Sequence, residues 1–280
     1  MSTVEAKLEH QGLIELGKAE PLRSYLGEIY RRRDFATELA RSDLRSKHMD
    51  SVLGQVWHLL NPALMVFIYY LVFGVLLDAR KGVPNYISFL VIGVLFFRQS
   101  QGAITDSASV MTQNDGMIRS IQFPRAVLPI STTLQHFLAF GPALLVIAVT
   151  MAFDGVPLSP RMLFIIPVIA VQQMLNLGGG CYVARLGSRY SDVREILPHF
   201  FRIMLYISGV IFSVDDRVKN ETLRALFALL PFYDLVTVAR WALMGTAVTD
   251  GEWMAFLLWS FGLLITGFMF FRRGEATYGS

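Results

Sequence analysis

Ser51-Val-Leu-Gly-Gln-Val-Trp-His-Leu-Leu-Asn-Pro-Ala-Leu64, running straight into Met65–Leu77, is where a polar, basic segment gives way to an apolar one. From Val56 to Leu77 the chain carries no Asp, Glu, Lys or Arg. Hydrocarbon thickness divided by helical rise means that about 20 mostly apolar residues cross a bilayer. This run is therefore expected to span one, and the chain to be an integral membrane protein.

Composition agrees. Of 280 residues, 54% are hydrophobic and 17% charged, against about 25% charged in soluble domains. The single cysteine, Cys181, lies in an apolar run and excludes an intrachain disulfide. The first fifty residues are polar and lack a short apolar core with a cleavage site, so the first span is expected to act as the insertion signal. A pI near 9 could suit nucleic acid, but the placement of the basic residues fits membrane topology instead.

Five further apolar segments follow, at Tyr86–Thr105, Leu128–Ala152, Arg161–Arg185, His199–Val214 and Trp253–Phe271. The expected fold is all-α, with six transmembrane helices in residues 56–272 and both termini on one side. With the N-terminus inside, cytoplasmic parts hold sixteen Lys and Arg and outer parts seven. Nine precede the first span and two follow it, which places the N-terminus and the 273–280 tail in the cytoplasm. Residues 1–20 have little periodicity and are expected to form a mobile tail. Within 21–55, Leu22, Tyr25, Leu26, Ile29 and Tyr30 share one helical face, beside Arg31-Arg32-Arg33. Such a basic amphipathic helix lies in the membrane interface. Its arginines suit anionic lipid or, more sharply, an anionic substrate headgroup.

The spans contain no interior Asp or Glu, which argues against a proton-coupled carrier or an intramembrane hydrolase. The five histidines have no metal-ligand spacing, no Ser/His/Asp set can be argued, and there is no G-x-x-x-x-G-K-[S/T] loop. Catalytic residues and a metal site are not expected. What the spans offer is aromatic and weakly polar. Val66, Tyr69, Tyr70 and Phe73 share a face of the first; Arg202, Tyr206, Gly209 and Ser213 share a face of the fifth. Such faces suit helix packing, or a pathway in which sugar C–H faces meet rings and hydroxyls find partners. Gln172, Asn176, Gly179 and Gly180 read as a helix–helix contact. Arg98 and Arg202 suit snorkelling or an anion such as a lipid pyrophosphate.

Two loops stand out. Asn114-Asp-Gly116 is a turn, followed by Met117, Ile118 and Ile121 on a short apolar helical face that Pro124 ends. It suits a partner's groove or the membrane surface. Beyond the fifth span, Leu223, Leu226, Phe227 and Leu230 form a stripe, Pro231 breaks it, and Leu235–Leu243 is apolar again. Two half-length helices joined at a proline read as a re-entrant or interfacial hairpin, either a gate or an inert cap.

Asp43-Leu-Arg45, Ser51-Val-Leu-Gly54 with Trp57 and Leu60-Asn-Pro62, Gly116-Met-Ile-Arg119 with Phe123-Pro-Arg-Ala-Val-Leu-Pro129, Ser188-Arg-Tyr-Ser-Asp-Val-Arg194 and Arg240-Trp-Ala-Leu-Met-Gly245 occur in the order seen in one family. Together they resemble the permease subunits of type-2 ABC exporters for polysaccharides: O-antigen, teichoic acid and cell-wall galactan. Lys47-His-Met-Asp50 and Leu230-Pro-Phe-Tyr233 depart from that family's pattern. The resemblance implies a homodimer with two copies of an ABC ATPase subunit, which would bind ATP and Mg; this chain would hold no cofactor. It implies a polyprenyl-pyrophosphate-linked glycan as substrate, with cell-wall galactan exporters nearest in wording. Gly116, Met117, Ile118, Arg119 and Ile121 would couple the ATPase to the spans. Leu226, Phe227, Leu230 and Pro231 would form an outer gate. Tyr69, Tyr70, Phe73, Arg98, Arg202, Tyr206 and Ser213 would line the pathway, and Arg31, Arg32 and Arg33 would dock the headgroup. An ABC exporter of small hydrophobic drugs or lipids is the alternative.

Overall fold

The computed structural model describes residues 21–46, 54–76, 83–214, 218 and 220–275. The expected tail at 1–20 and the Lys47-His-Met-Asp50 stretch lie outside these residues. The described residues hold helices and no strand. Helix α1 (Leu22–Arg31) bends at Arg32 into α2 (Arg33–Ser46). The first long apolar helix is α3 (Trp57–Tyr69), continued as a π-helix over Tyr70–Leu76. Then come α4 (Tyr86–Ser107), the short α5 (Asp115–Ser120) and α6 (Val127–Phe153). A 3-10 turn at Pro160–Phe164 leads into α7 (Ile165–Arg189), and α8 (Asp192–Ile207) follows. The last three are α9 (Glu221–Phe227), α10 (Pro231–Met244) and α11 (Asp250–Arg273).

Among the described residues, five helices are long and apolar enough to cross a membrane: Trp57–Leu76, Tyr86–Ser107, Val127–Phe153, Pro160–Arg189 and Asp250–Arg273. The fifth apolar segment of the sequence behaves differently. Its helix, α8, starts seven residues before His199 and stops at Ile207, where Ser208 ends it and Gly209 takes φ +59°. At 16 residues it is about 24 Å long, short of the roughly 30 Å hydrocarbon core. Its early residues Asp192, Arg194 and Glu195 are polar, so the sequence window had caught only its apolar half.

Helix α4 is the spine. Val91–Phe97, Gln99 and Ser100 are all buried, because α6, α7, α8 and α10 pack around it. The α4–α7 contact is held by amides: Gln172 Nε2 donates to the Phe96 carbonyl and to Ser100 Oγ, both at 2.9 Å. Buried polar groups must be paired, and these pairs fix the register of the two helices. Gly179 meets Ile104 and Gly180 meets Ser107, as the small-residue pattern implied. A close seam joins α7 and α11. A Cβ on Gly178 would stand 2.3 Å from the Leu263 carbonyl carbon, and one on Gly267 would stand 2.2 Å from the Gly178 oxygen. Helix α11 starts on a capping box, Thr249-Asp-Gly-Glu252, in which Thr249 Oγ1 accepts from the Glu252 N–H and Glu252 Oε2 accepts from the Thr249 N–H.

The hairpin expected around Pro231 is present as α9 and α10. Pro231 occupies the first turn of α10, where its missing N–H costs nothing, and Gly245 ends the helix at φ +79°. Residues Phe232–Val236 and Val238–Arg240 are buried, so the second arm is a core helix rather than a surface cap.

Candidate functional site

Arg98 is the exposed exception on the buried spine between Ser88 and Ser100. Its guanidinium reaches Met65 Sδ at 4.0 Å, and no carboxylate among the described residues lies within ion-pair distance. It borders a cleft of about 180 Å³ between α3, α4 and α6, with Asn61, Gln99 and His136 in the wall. Gln99 is fixed from behind: it donates to Gln173 Oε1 at 3.0 Å and accepts from Asn176 Nδ2 at 2.7 Å. His136 Nε2 stands 2.8 Å from Asp106 Oδ2. Gly102 makes room for that ring, since a Cβ there would lie 2.6 Å from His136 Cε1. A cation with amide and imidazole neighbours can offer charge and hydrogen bonds to a hydroxylated or anionic ligand.

Asp106 lies at the very end of α4, which extends past the expected Thr105 to Ser107, and finds a histidine partner there. Asp234 is a second acid that sequence reasoning did not single out. It is fully buried in α10, a segment the sequence had placed outside the spans.

The two aromatic faces fare unequally. Val66 is buried, and Tyr69, Tyr70 and Phe73 turn inward, partly buried against the core. Phe67, Ile68, Leu71 and Val75 face outward instead. The π-helical turn from Tyr70 carries the stripe onto α4, with the Tyr70 ring beside Gly74. On α8, Arg202 and Tyr206 share the exposed face. Gly209 and Ser213 do not continue it, because the helix has already ended; both line a different cavity, described below. Helix α3 packs on α4 and α6, and α8 on α4 and α7. The spine thus lies between the two sets, and Arg202 and Tyr206 face away from one copy of the chain.

Helix α5 forms where the turn and Pro124 place it. Its apolar residues divide: Ile118 is buried with Tyr25, Val110 and Met111, whereas Met117 is half-buried and Ile121, beyond the helix end, is 50% exposed. Gly116 is open, and Arg119 pairs with Asp115 at 2.9 Å. The apolar surface left open here is therefore Met117 and Ile121, without Ile118.

Helix α1 presents Leu22, Leu26 and Tyr30 outward and tucks Tyr25 inward. Arg31 is exposed, Arg32 bonds Glu28 at 3.5 Å, and Arg33 stacks 4.5 Å from the Tyr30 ring centre. Behind it lies a cluster that no sequence pattern signalled. The Tyr25 hydroxyl accepts from the Ala126 N–H, and Glu275 Oε1 accepts from the Arg125 N–H at 2.8 Å. The Arg125 guanidinium also donates to the Glu275 carbonyl, and Arg272 covers the Tyr25 ring. Burial first, then the Glu275 carboxylate, pushes the Tyr25 phenol up; burial also raises the Glu275 carboxyl, opposed by the Arg125 N–H. These contacts tie α1, the exit of the α5 loop and the end of α11 together.

At the opposite end, Phe227 of α9 lies 6.1 Å from the Tyr233 ring, Leu226 is exposed and Leu230 precedes the break at Pro231. The side chain of Leu223 is outside the described residues. Arg240 of α10 is the residue the sequence reading missed as a structural element. It donates from Nε to the Phe89 carbonyl at 3.1 Å, from Nη1 to Gly209 at 2.8 Å and from Nη2 to Val210 at 2.6 Å. It thereby clamps the hairpin to α4 and to the segment leaving α8.

Residues 35–244 match the family model described as ABC-2 type transporter. The chain is 27% identical over 214 residues to the O-antigen export system permease protein RfbA of Myxococcus xanthus, covering 75% of this chain and 80% of the relative. It is 25% identical over 242 residues to a Klebsiella pneumoniae protein of the same name, covering 86% and 92%. The motifs ordered along α2 to α10, the long apolar helices that carry them and this match over three quarters of the sequence agree: the chain belongs to the ABC-2 type transporter family.

Proposed function

We propose that this chain is the membrane-spanning permease subunit of an ATP-driven exporter that moves a polyprenyl-pyrophosphate-linked polysaccharide outward across the bacterial cytoplasmic membrane. The observation that carries the reading is that relatives aligned over most of their length bear the name of O-antigen export permeases. The exposed Arg98 and its amide- and imidazole-lined cleft support it, since a glycan headgroup supplies both hydroxyls and charge.

The working unit is a homodimer with two copies of an ABC ATPase subunit. ATP and Mg sit on the ATPase, and Met117 and Ile121 receive its motion. Helix α8 and the segment after it complete a sixth crossing, which puts both termini in the cytoplasm and the α9–α10 hairpin outside. Two copies facing each other place Arg202 and Tyr206 of α8 along a shared pathway, and cell-wall galactan is one glycan such a pathway would carry. Exposed Arg31 and Arg33 offer a landing for the pyrophosphate. The outward apolar face of α3 favours a second reading, export of small hydrophobic compounds.

Depletion of the chain in its host separates the two. Lipid-linked glycan should accumulate on the cytoplasmic leaflet and disappear from the surface. Unchanged glycan on both sides would discard the polysaccharide reading.

A further inference from the structure

A cavity of about 320 Å³ lies at the end of the molecule away from α1 and α5, between the start of α4, the α6–α7 connection, the segment after α8, and α10. This is the size range of small-ligand pockets. Its wall includes Asn85, Ser213, Tyr233, Thr237, Arg240 and Thr246. We propose that this cavity binds a phosphate or pyrophosphate group.

The argument starts from Arg240. It is 5% exposed, yet no carboxylate among the described residues lies within ion-pair distance of it. A guanidinium has five N–H donors, and three here go to carbonyl oxygens, so two remain. Carbonyl dipoles and the Phe89 ring, whose centre lies 3.3 Å from the guanidinium carbon, offset part of the cost of burying a cation; what remains favours an anion beside it. Arginine's planar fork suits phosphate oxygens. Thr246 Oγ1 is a second pointer, because it is buried, borders the cavity and has no partner.

Two of the nearby acids are occupied elsewhere. Asp154 Oδ2 accepts the Ser88 N–H at 2.9 Å, and Glu252 takes its capping bonds and the Tyr233 hydroxyl at 3.2 Å. Asp234 shares α10 but is six residues away, about 9 Å along the axis, and does not line the cavity. On the export reading the anion arrives on the lipid-linked glycan as it leaves. That source rests on the export reading; the site itself does not.

The test uses the full-length chain in nanodiscs of neutral lipid, without the ATPase, whose nucleotide sites would bind pyrophosphate themselves. Inorganic pyrophosphate and a long-chain prenyl pyrophosphate are titrated by calorimetry and phosphorus NMR. Arg240→Gln removes the clamp and can unfold the hairpin, so the deciding variants are Thr246→Asp, which adds a like charge to the cavity, and Thr246→Asn, which does not. Thr246→Asp should weaken binding by about tenfold or more, and Thr246→Asn by about twofold at most. Binding of both probes with that pattern means that the anion itself is recognised. Binding of the prenyl form alone, with the same pattern, identifies a lipid-borne source. No saturable binding, or binding indifferent to Thr246→Asp, overturns the proposal and leaves Arg240 as a clamp only. None of these readings requires transport, so a failed depletion experiment would remove the export reading and leave this site standing.

Discussion

Gly93 and Arg240 share one small volume, and the fit between them is tight enough to measure. A Cβ on Gly93 would lie 2.3 Å from Arg240 Nη2 and 2.8 Å from the Val210 carbonyl oxygen. Neither can retreat without giving up a hydrogen bond of the clamp. Gly93→Ala is therefore expected to cost about 1–3 kcal/mol through overpacking, seen as a lower Tm of the detergent-solubilised protein; an unchanged Tm would show that the clamp is loose. Arg240 stands in the sequence as one more outer cation. Its carbonyl partners are 151, 31 and 30 residues away, and nothing in local periodicity links them. His136 and Asp106 escaped notice for the same reason, since a pair across two helices leaves no mark within either.

The helices themselves were more legible, where hydropathy alone determines them. The first four apolar runs and the last reappear as helices with ends shifted by a few residues, because bilayer thickness sets their length. Helix α8 resisted, because its polar first turns fall outside an apolar window and its end depends on Ser208 and Gly209. Helix α5 was placed correctly, yet which of its residues point outward depended on where Tyr25 and Val110 sit. This sorts the substitutions. Met117→Asp with Ile121→Asp should leave insertion intact while abolishing ATPase association in co-purification, because a groove would have to bury unpaired charge. Persistent association would exclude these residues from the interface. The same sorting applies to the tyrosines. Tyr206→Ala removes an exposed ring and should change stability by no more than about 0.5 kcal/mol while slowing glycan export. Tyr70→Ala removes a packed ring and should lower Tm instead. Equal effects of both variants on Tm and on export would contradict the separation of the two faces.

Taken as one body, the chain presents Leu158, 93% exposed in the α6–α7 connection, at one end and Ser120 of α5 at the other. A Leu158→Cys variant in intact cells should react with an impermeant thiol reagent added outside, and a Ser120→Cys variant should not; Cys181 is buried and gives a low background. Reaction at Ser120 would reverse the assigned orientation, which the Lys and Arg count alone supplied. That count could be read from the sequence because charge asymmetry needs no tertiary structure. The seam between Gly178 and Gly267 could not, since its closeness depends on both backbones. In mechanical terms that seam makes α7 and α11 a strut. Two helices touching backbone to backbone have no side-chain layer to shear, so they must travel as a unit. Any widening of the molecule during a work cycle is then borne by the helices that hang on the spine by side chains alone. Among the long elements α3, which continues into a π-helical turn, is one of these.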